Sequence, residues 1–248
     1  MTAPQTGRGR RPPRVSGHTT YRSVIPTEEM PEDLRWNAAT LWAGPKCHIV
    51  HDPLSGWKVF NLVVTYHNDA PEPVAGKAVG DEEVQKGFQH VHPKAQEIIR
   101  HGRDWKLWVL CDRNPVERWV GGRGALLGDA AHPMLQYFAQ GTCRAMEDAV
   151  CLAHMVDAHP GRVEEALESY RHQRVLRTAR VQLQPREIGD HLYHPAGPHA
   201  RLRNAMLSAM SPDEMYDSLA WLYGGTGLSS DAAASAGAVG RGTQARAA

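Results

Sequence analysis

Cysteine is scarce in this sequence and never closely paired: four stand at Cys47, Cys111, Cys143 and Cys151, and no C-x-x-C occurs among the 248 residues. That spacing excludes a zinc ribbon and a dithiol redox motif, and isolated thiols fit a reducing cytoplasm. An excess of one charge is also missing. Lys+Arg 28 against Asp+Glu 27 gives a formal net charge of +1, with no basic stripe interleaved with aromatics, so nucleic acid is not an expected partner. No apolar run reaches the ~18 residues of a membrane span. The Arg/Pro-rich start, through Arg14, has no apolar stretch to serve as a signal-peptide core. A cytoplasmic protein without membrane contacts is the expectation.

What is present is a globular body. Hydrophobic residues make up 42% and charged residues 22%, enough for a packed core. Both ends depart from this composition, and residues 1–14 and 229–248 are expected to be a disordered leader and tail. Between them, strand-like alternation gives way to helix-like periodicity, which indicates an α+β fold with a sheet-rich part at 15–120 and a helical part at 121–228. TTYRSVI, KCHIVH, WKVFNLVVTY, WKLWVL and ALLGD read as strands, and DPLSG between the second and third reads as a hairpin turn. DEEVQKGF and HPKAQEIIRHG fit two short helices. CRAMEDAVCLAHMVDAH and VEEALESYRHQRVLRTARVQLQ fit longer ones, the former with Ala145, Ala149, Leu152 and Met155 or Val156 on its inner face.

Fourteen histidines invite a metal reading. In a strand, however, His48 and His51 point to opposite faces, and His90 and His92 have no carboxylate or thiol between or beside them to complete a site. No metal site is expected. The same parity puts His48, Val50 and Asp52 on one face, where an imidazole and a carboxylate can converge as a general base; a sheet-edge histidine and a turn-starting aspartate fit the spacing as well. Between Gly124 and Val150 a strand ends in Asp129, a loop with proline and glycine follows, and a helix begins near Gly141. The free N–H groups of that helix start favour an electron-rich ligand, with Asp129 either accepting from ligand hydroxyls or acting as a cap.

Gly128-Asp129-Ala130-Ala131-His132-Pro133, then Gln140-Gly141, then Glu147-Asp148-Ala149, resembles the second flavin-binding motif of the single-component FAD-dependent aromatic hydroxylases, with the p-hydroxybenzoate-hydroxylase-like fold. Ser16 to Arg22, Pro45 to His51 and Trp221 to Gly227 extend the resemblance, toward the 3-hydroxybenzoate 6-hydroxylases, across residues 15–228. It implies an FAD enzyme that takes electrons from NADH and hydroxylates a small aromatic substrate with O₂. It also implies roles: Asp129, Pro133, Gln140, Gly141 and Thr142 for FAD, His48 for the phenolic proton and Gln136 for the ring. Asp52 stands where the family pattern has a tyrosine, so its carboxylate would repel a benzoate.

The family's G-x-G-x-x-G loop occurs nowhere in the chain, and Gly7-Arg-Gly-Arg does not form one. The resemblance is therefore to the rear part of such an enzyme: its substrate-side sheet and C-terminal helices, without the N-terminal βαβ unit. Alternatives are a non-catalytic remnant that does not hold FAD by itself, or an interaction module. A surface built to meet a βαβ unit leads to the expectation of a homo-oligomer.

Overall fold

A computed structural model describes residues 12–225. Most of the expected leader, all of the expected tail, Gly7-Arg-Gly-Arg and the Thr226-Gly227 end of the last resemblance segment lie outside the described residues. Arg14, assigned by sequence to the leader, instead opens the first strand and is tied to Asp112 at 2.7 Å.

Strands β1 (Arg14–Pro26), β2 (Thr40–Gly44), β3 (Cys47–Leu54), β4 (Val59–His67), β5 (Ala75–Ala78) and β6 (Lys106–Asp112) form one sheet in the order β2-β3-β4-β1-β6-β5, antiparallel at every pairing. The β3–β4 hairpin expected around DPLSG is present, with His48 opposite Thr65 and Asp52 opposite Asn61. Successive side chains on a strand alternate between faces. Tyr21, Ile25, Ile49, Phe60, Leu62 and Val64 therefore share one buried face with Leu107 and Val109. Helices α1 (Asp81–Lys86) and α2 (Pro93–His101) cover it with Val84, Ala95, Ile98 and Ile99. Each such aliphatic or aromatic side chain, removed from water, contributes roughly 1.5–3 kcal/mol. His51 belongs to this core face, where it accepts a hydrogen bond from Trp42 Nε1 at 3.1 Å, while His92 caps α2 and His90 sits in the turn before it.

The opposite sheet face is polar: Thr20, Arg22, His48, Asp52, Asn61 and Thr65 project from it. Over this face the chain continues through a two-residue hairpin, β7 (Val120–Gly121) and β8 (Gly124–Ala125), into α3 (Gly141–Ala158) and α4 (Val163–Ile188). A one-turn π-helix (189–193) and helices α5 (Gly197–Ala209), α6 (Pro212–Ser218) and α7 (Ala220–Tyr223) follow. Asp112 accepts from Arg14 and, at 2.8 Å, from Arg186, which fastens the end of α4 to the sheet.

Two local expectations fail, the second in part. ALLGD forms no strand through Asp129: pairing stops at Ala125, because Gly128 takes φ +56°, which turns the chain into a 3-10 turn carrying Asp129. The inner face of α3 keeps the expected Leu152 and Met155, which pack against Trp119, Ala131, Cys151 and Tyr170, but not Ala149 or Val156. Arg144, Asp148 and Cys151 are the buried residues, whereas Ala149 and Val156 are exposed. Paired charges occupy the inside because α4 presents Arg174 and Arg177 to them.

Candidate active site

A cavity of about 640 Å³ lies between the polar sheet face and the segment running from Gln136 to Ala139. Strand parity delivers His48, Val50 and Asp52 to it from β3, and Asn61 and Val63 from β4. Ile188, Leu192 and Tyr193 close it from the end of α4 and the π turn. The structure thus brings three of the sequence-nominated residues together: His48, Asp52 and Gln136 all line this space.

Gln136 is held at three points. Its Nε2 donates to Thr20 Oγ1 at 2.9 Å and to Thr65 Oγ1 at 3.0 Å, and its Oε1 accepts from Arg22 at 3.0 Å. The two threonine hydroxyls are themselves 2.8 Å apart. An amide fixed on both sides has one orientation, so it presents a constant edge to a ligand.

His48 is almost wholly buried, and its partner is not the carboxylate suggested by spacing. Asp52 Oδ1 accepts from Asn61 at 3.1 Å, while His48 Nδ1 lies 2.7 Å from Nε2 of His194, a residue in the coil after the π turn. Burial, reinforced by His194 and His18, holds the His48 imidazole well below its ordinary pKa. It is neutral at pH 7, with Nδ1 engaged and Nε2 left for the cavity, which is the state a proton acceptor needs. Tyr137, also on the wall, bonds through its hydroxyl to His18 Nδ1, and burial pushes its phenol far above the usual range.

The remaining nominated residues gather at the start of α3. Asp129 is exposed on its 3-10 turn, and a side chain placed at Gly141 would come within 3.9 Å of its Oδ1. Gly141 thus lies directly against Asp129. Gln140 makes no side-chain cap for α3, so the first N–H groups, including that of the exposed Thr142, receive no side-chain acceptor. An uncapped helix start beside an exposed carboxylate can bind a group that carries both anionic oxygens and hydroxyls. The side chain of Gln140 turns the other way, bonding Arg144 at 2.8 Å and Tyr223 at 3.3 Å, so only its backbone belongs to the corner. Pro133 has its carbonyl held by Gln182 of α4 at 3.2 Å. The cavity-lining segment Gln136 to Ala139 lies one residue short of α3, with Gln140 between them.

Behind the corner is a residue whose role the sequence did not disclose. Asp148 accepts from the Gly128 N–H at 3.0 Å, from His132 Nε2 at 2.5 Å and from Arg174 Nε at 2.7 Å. Burial pushes the Asp148 carboxyl up, but these three donors outweigh it and hold the group below its ordinary value. One carboxylate thereby fixes the turn that carries Asp129. The signal was present in the acidic pair Glu147-Asp148, although its inward direction depends on Arg174, 26 positions away.

A polar sheet face roofed by long helices thus encloses a cavity near the uncapped start of α3. The model of the family described as FAD binding domain matches residues 53–184, a little over half of the chain, and the chain belongs to that family. It is 52% identical over 212 residues to 3-hydroxybenzoate 6-hydroxylase 1 of Aquipseudomonas alcaligenes, a match covering 86% of this chain and 54% of that protein. It is 45% identical to 3-hydroxybenzoate 6-hydroxylase 2 of the same organism, covering 86% and 66%. The chain thus spans between about half and two thirds of the length of these relatives. Among solved structures, Klebsiella pneumoniae HpxO complexed with FAD and uric acid shares the fold at a TM-score of 0.72 and 23% identity, covering 85% of this chain and 53% of that one. No helix among the described residues is long and apolar enough to cross a membrane.

Proposed function

We propose that this chain supplies the substrate pocket and part of the flavin site of an FAD- and NADH-dependent monooxygenase that hydroxylates a 3-hydroxybenzoate-like phenol to a gentisate-like product. A buried, neutral imidazole with one nitrogen free toward an aromatic-sized cavity, opposite an amide locked in place, carries this conclusion. When bound, FAD supplies the reduction of O₂ that delivers one oxygen atom to the ring. Asp129 and the N–H groups of Gly141 and Thr142 would hold it, in keeping with their open, uncapped corner.

The rest of the chemistry belongs to this chain. His48 Nε2 takes the phenolic proton, which makes the ring electron-rich at the carbon to be attacked. Gln136 orients the ring by its fixed edge, and the apolar walls at Val50, Val63 and Leu192 keep water from competing. Arg22 is the cation on the cavity wall and offers the substrate carboxylate a partner, whereas Asp52 repels it. The four free thiols fit a cytoplasmic enzyme. Exposed Met146 and Val150 on α3 fit self-association.

The test is turnover under ¹⁸O₂ with FAD in excess, NADH and 3-hydroxybenzoate. One labelled hydroxyl in the product, lost in His48→Ala, supports the assignment. Unlabelled product, or a product yield unaffected by His48→Ala, overturns it.

A further inference from the structure

The sheet register lays the polar face out in rows that cross the strands. His48 stands beside Thr65 and Thr20, Val50 beside Val63 and Arg22, and Asp52 beside Asn61. Each residue of a strand adds about 3.3 Å, so the His48 and Asp52 positions are about 13 Å apart along β3, with the apolar Val50–Val63 row between them. Arg22 belongs to β1, two strands away, which puts its position about 10 Å to the side of Val50. Three polar groups therefore surround one apolar patch of the cavity floor: an imidazole at one end, a carboxylate at the other and a guanidinium at the flank.

Arg22 and Asp52 are the only acidic or cationic side chains, His48 apart, that line this cavity, and neither forms an ion pair among the described residues. Each is held by neutral groups instead. Arg22 donates to Gln136 Oε1 at 3.0 Å, and its guanidinium lies 5.6 Å from the centre of the Trp108 ring. Asp52 Oδ1 accepts from Asn61 Nδ2 at 3.1 Å, while its Oδ2 accepts no hydrogen bond among the described residues. A ligand that closes the cavity takes both charges out of water, and each then costs free energy unless a ligand group meets it. 3-Hydroxybenzoate meets His48 with its hydroxyl and Arg22 with its carboxylate. It brings nothing to Asp52.

We infer that Asp52 selects a 3-hydroxybenzoate with a second hydrogen-bond donor, a hydroxyl or an amino group, on the ring carbon meta to both the carboxylate and the first hydroxyl. This rests on the reading of the cavity as a phenol site. The rows dictate the placement. With the ring over Val50 and Val63 and its first hydroxyl at His48, the two remaining meta positions point away from His48, one toward β1 and one toward β3. The carboxylate takes the β1 side, where Arg22 is, and the third substituent falls on the β3 side, toward Asp52. The carbon para to the first hydroxyl stays unsubstituted, so the added group does not block the proposed hydroxylation. An ionised carboxylate only accepts hydrogen bonds. A donor at that position gains a charge-assisted bond to Asp52, and a group that can only accept is refused. The repulsion of a plain benzoate by Asp52 is the other half of the same selection.

The experiment is a calorimetric titration of the chain with 3-hydroxybenzoate, 3,5-dihydroxybenzoate, 3-amino-5-hydroxybenzoate and 3-hydroxy-5-methoxybenzoate, repeated for Asp52→Asn. The wild-type chain is expected to bind at least one of the two donor ligands about tenfold tighter than 3-hydroxybenzoate, and the methoxy ligand no tighter. Asp52→Asn keeps the size of the side chain and removes its charge, so the preference for the donor ligands should shrink to less than about threefold. A neutral 3-substituted phenol, bound equally by both chains, shows that the variant keeps its fold. Equal wild-type affinity for all four ligands would overturn the selection while leaving the phenol site in place. So would a preference that persists in Asp52→Asn, or a gain from methoxy as large as from the donors, which would make size the cause. A wild-type chain that binds none of the four would instead remove the phenol site, and the selection with it.

Discussion

His48 and His194 are hydrogen-bonded at 2.7 Å across 146 positions of sequence, while Asp52, two residues along the same strand face as His48, is bonded to Asn61 instead. The His48 ring is thus supported by a second buried imidazole and not by a carboxylate. Its properties follow from burial more than from charge.

That support has a consequence for stability against pH. The folded pKa values of His18 and His194, about 4 and about 3, lie below the ordinary histidine value of 6.5. The unfolded chain therefore binds more protons between those limits, and stability present above pH 6.5 is lost as the pH falls toward 3. Urea midpoints should fall from pH 7.5 to pH 5, and His194→Asn should flatten that dependence. An equally steep loss in the variant would show that His194 is not one of the responsible groups.

Asp148 is expected to be the most costly single residue to replace behind the Asp129 turn. Asp148→Ala leaves buried His132 Nε2 and the Gly128 N–H without their acceptor and leaves Arg174 with Glu147 alone, and breaking a buried pair of this kind costs about 3–5 kcal/mol. Urea denaturation measures this directly. A loss below about 1 kcal/mol would mean that Glu147, which also binds Arg174, carries the network.

Gly128→Ala tests the turn itself. The φ of +56° disfavours a side chain, and the new methyl would lie 3.2 Å from the Ala145 methyl, so strain of roughly 1–3 kcal/mol is expected together with weaker FAD binding. Unchanged binding would detach the Asp129 turn from the cofactor site.

FAD itself should be held weakly by this chain. The corner at Asp129 and Gly141 offers one helix start, and no G-x-G-x-x-G loop occurs in the 248 residues to add a second set of N–H donors. The purified chain should be colourless and should take up FAD only on titration. Flavin absorbance at one per chain after gel filtration would contradict this.

The parts of the site that were legible in the sequence depend on short-range geometry. A period of two placed His48, Val50 and Asp52 on one face whatever the fold around them, and all three line the cavity. Gly128 marked the turn because its φ of +56° is one that few other residues adopt, and Gly141 marked the start of α3. His194 was not legible: it follows a π turn, and nothing local indicates that the chain returns there to β3. The inner face of α3 was read only in part, Leu152 and Met155 but not Arg144 and Asp148, for a related reason. Hydrophobic periodicity cannot foresee a charged interior whose partners, Arg174 and Arg177, belong to another helix. The strand through ALLGD failed at Gly128, where backbone conformation overrode the apolar run.

The most direct measurement is a calorimetric titration of the chain with 3-hydroxybenzoate and with a neutral 3-substituted phenol of similar size, repeated for Gln136→Leu, His48→Ala and Asp52→Asn. One-to-one binding is expected, weakened by the first two substitutions. Asp52→Asn should strengthen binding of the benzoate severalfold and leave the neutral phenol nearly unchanged, because it removes one like charge from the cavity wall. Absence of aromatic binding, or affinities that none of the three substitutions alters, would contradict the assignment of this cavity as the phenol site.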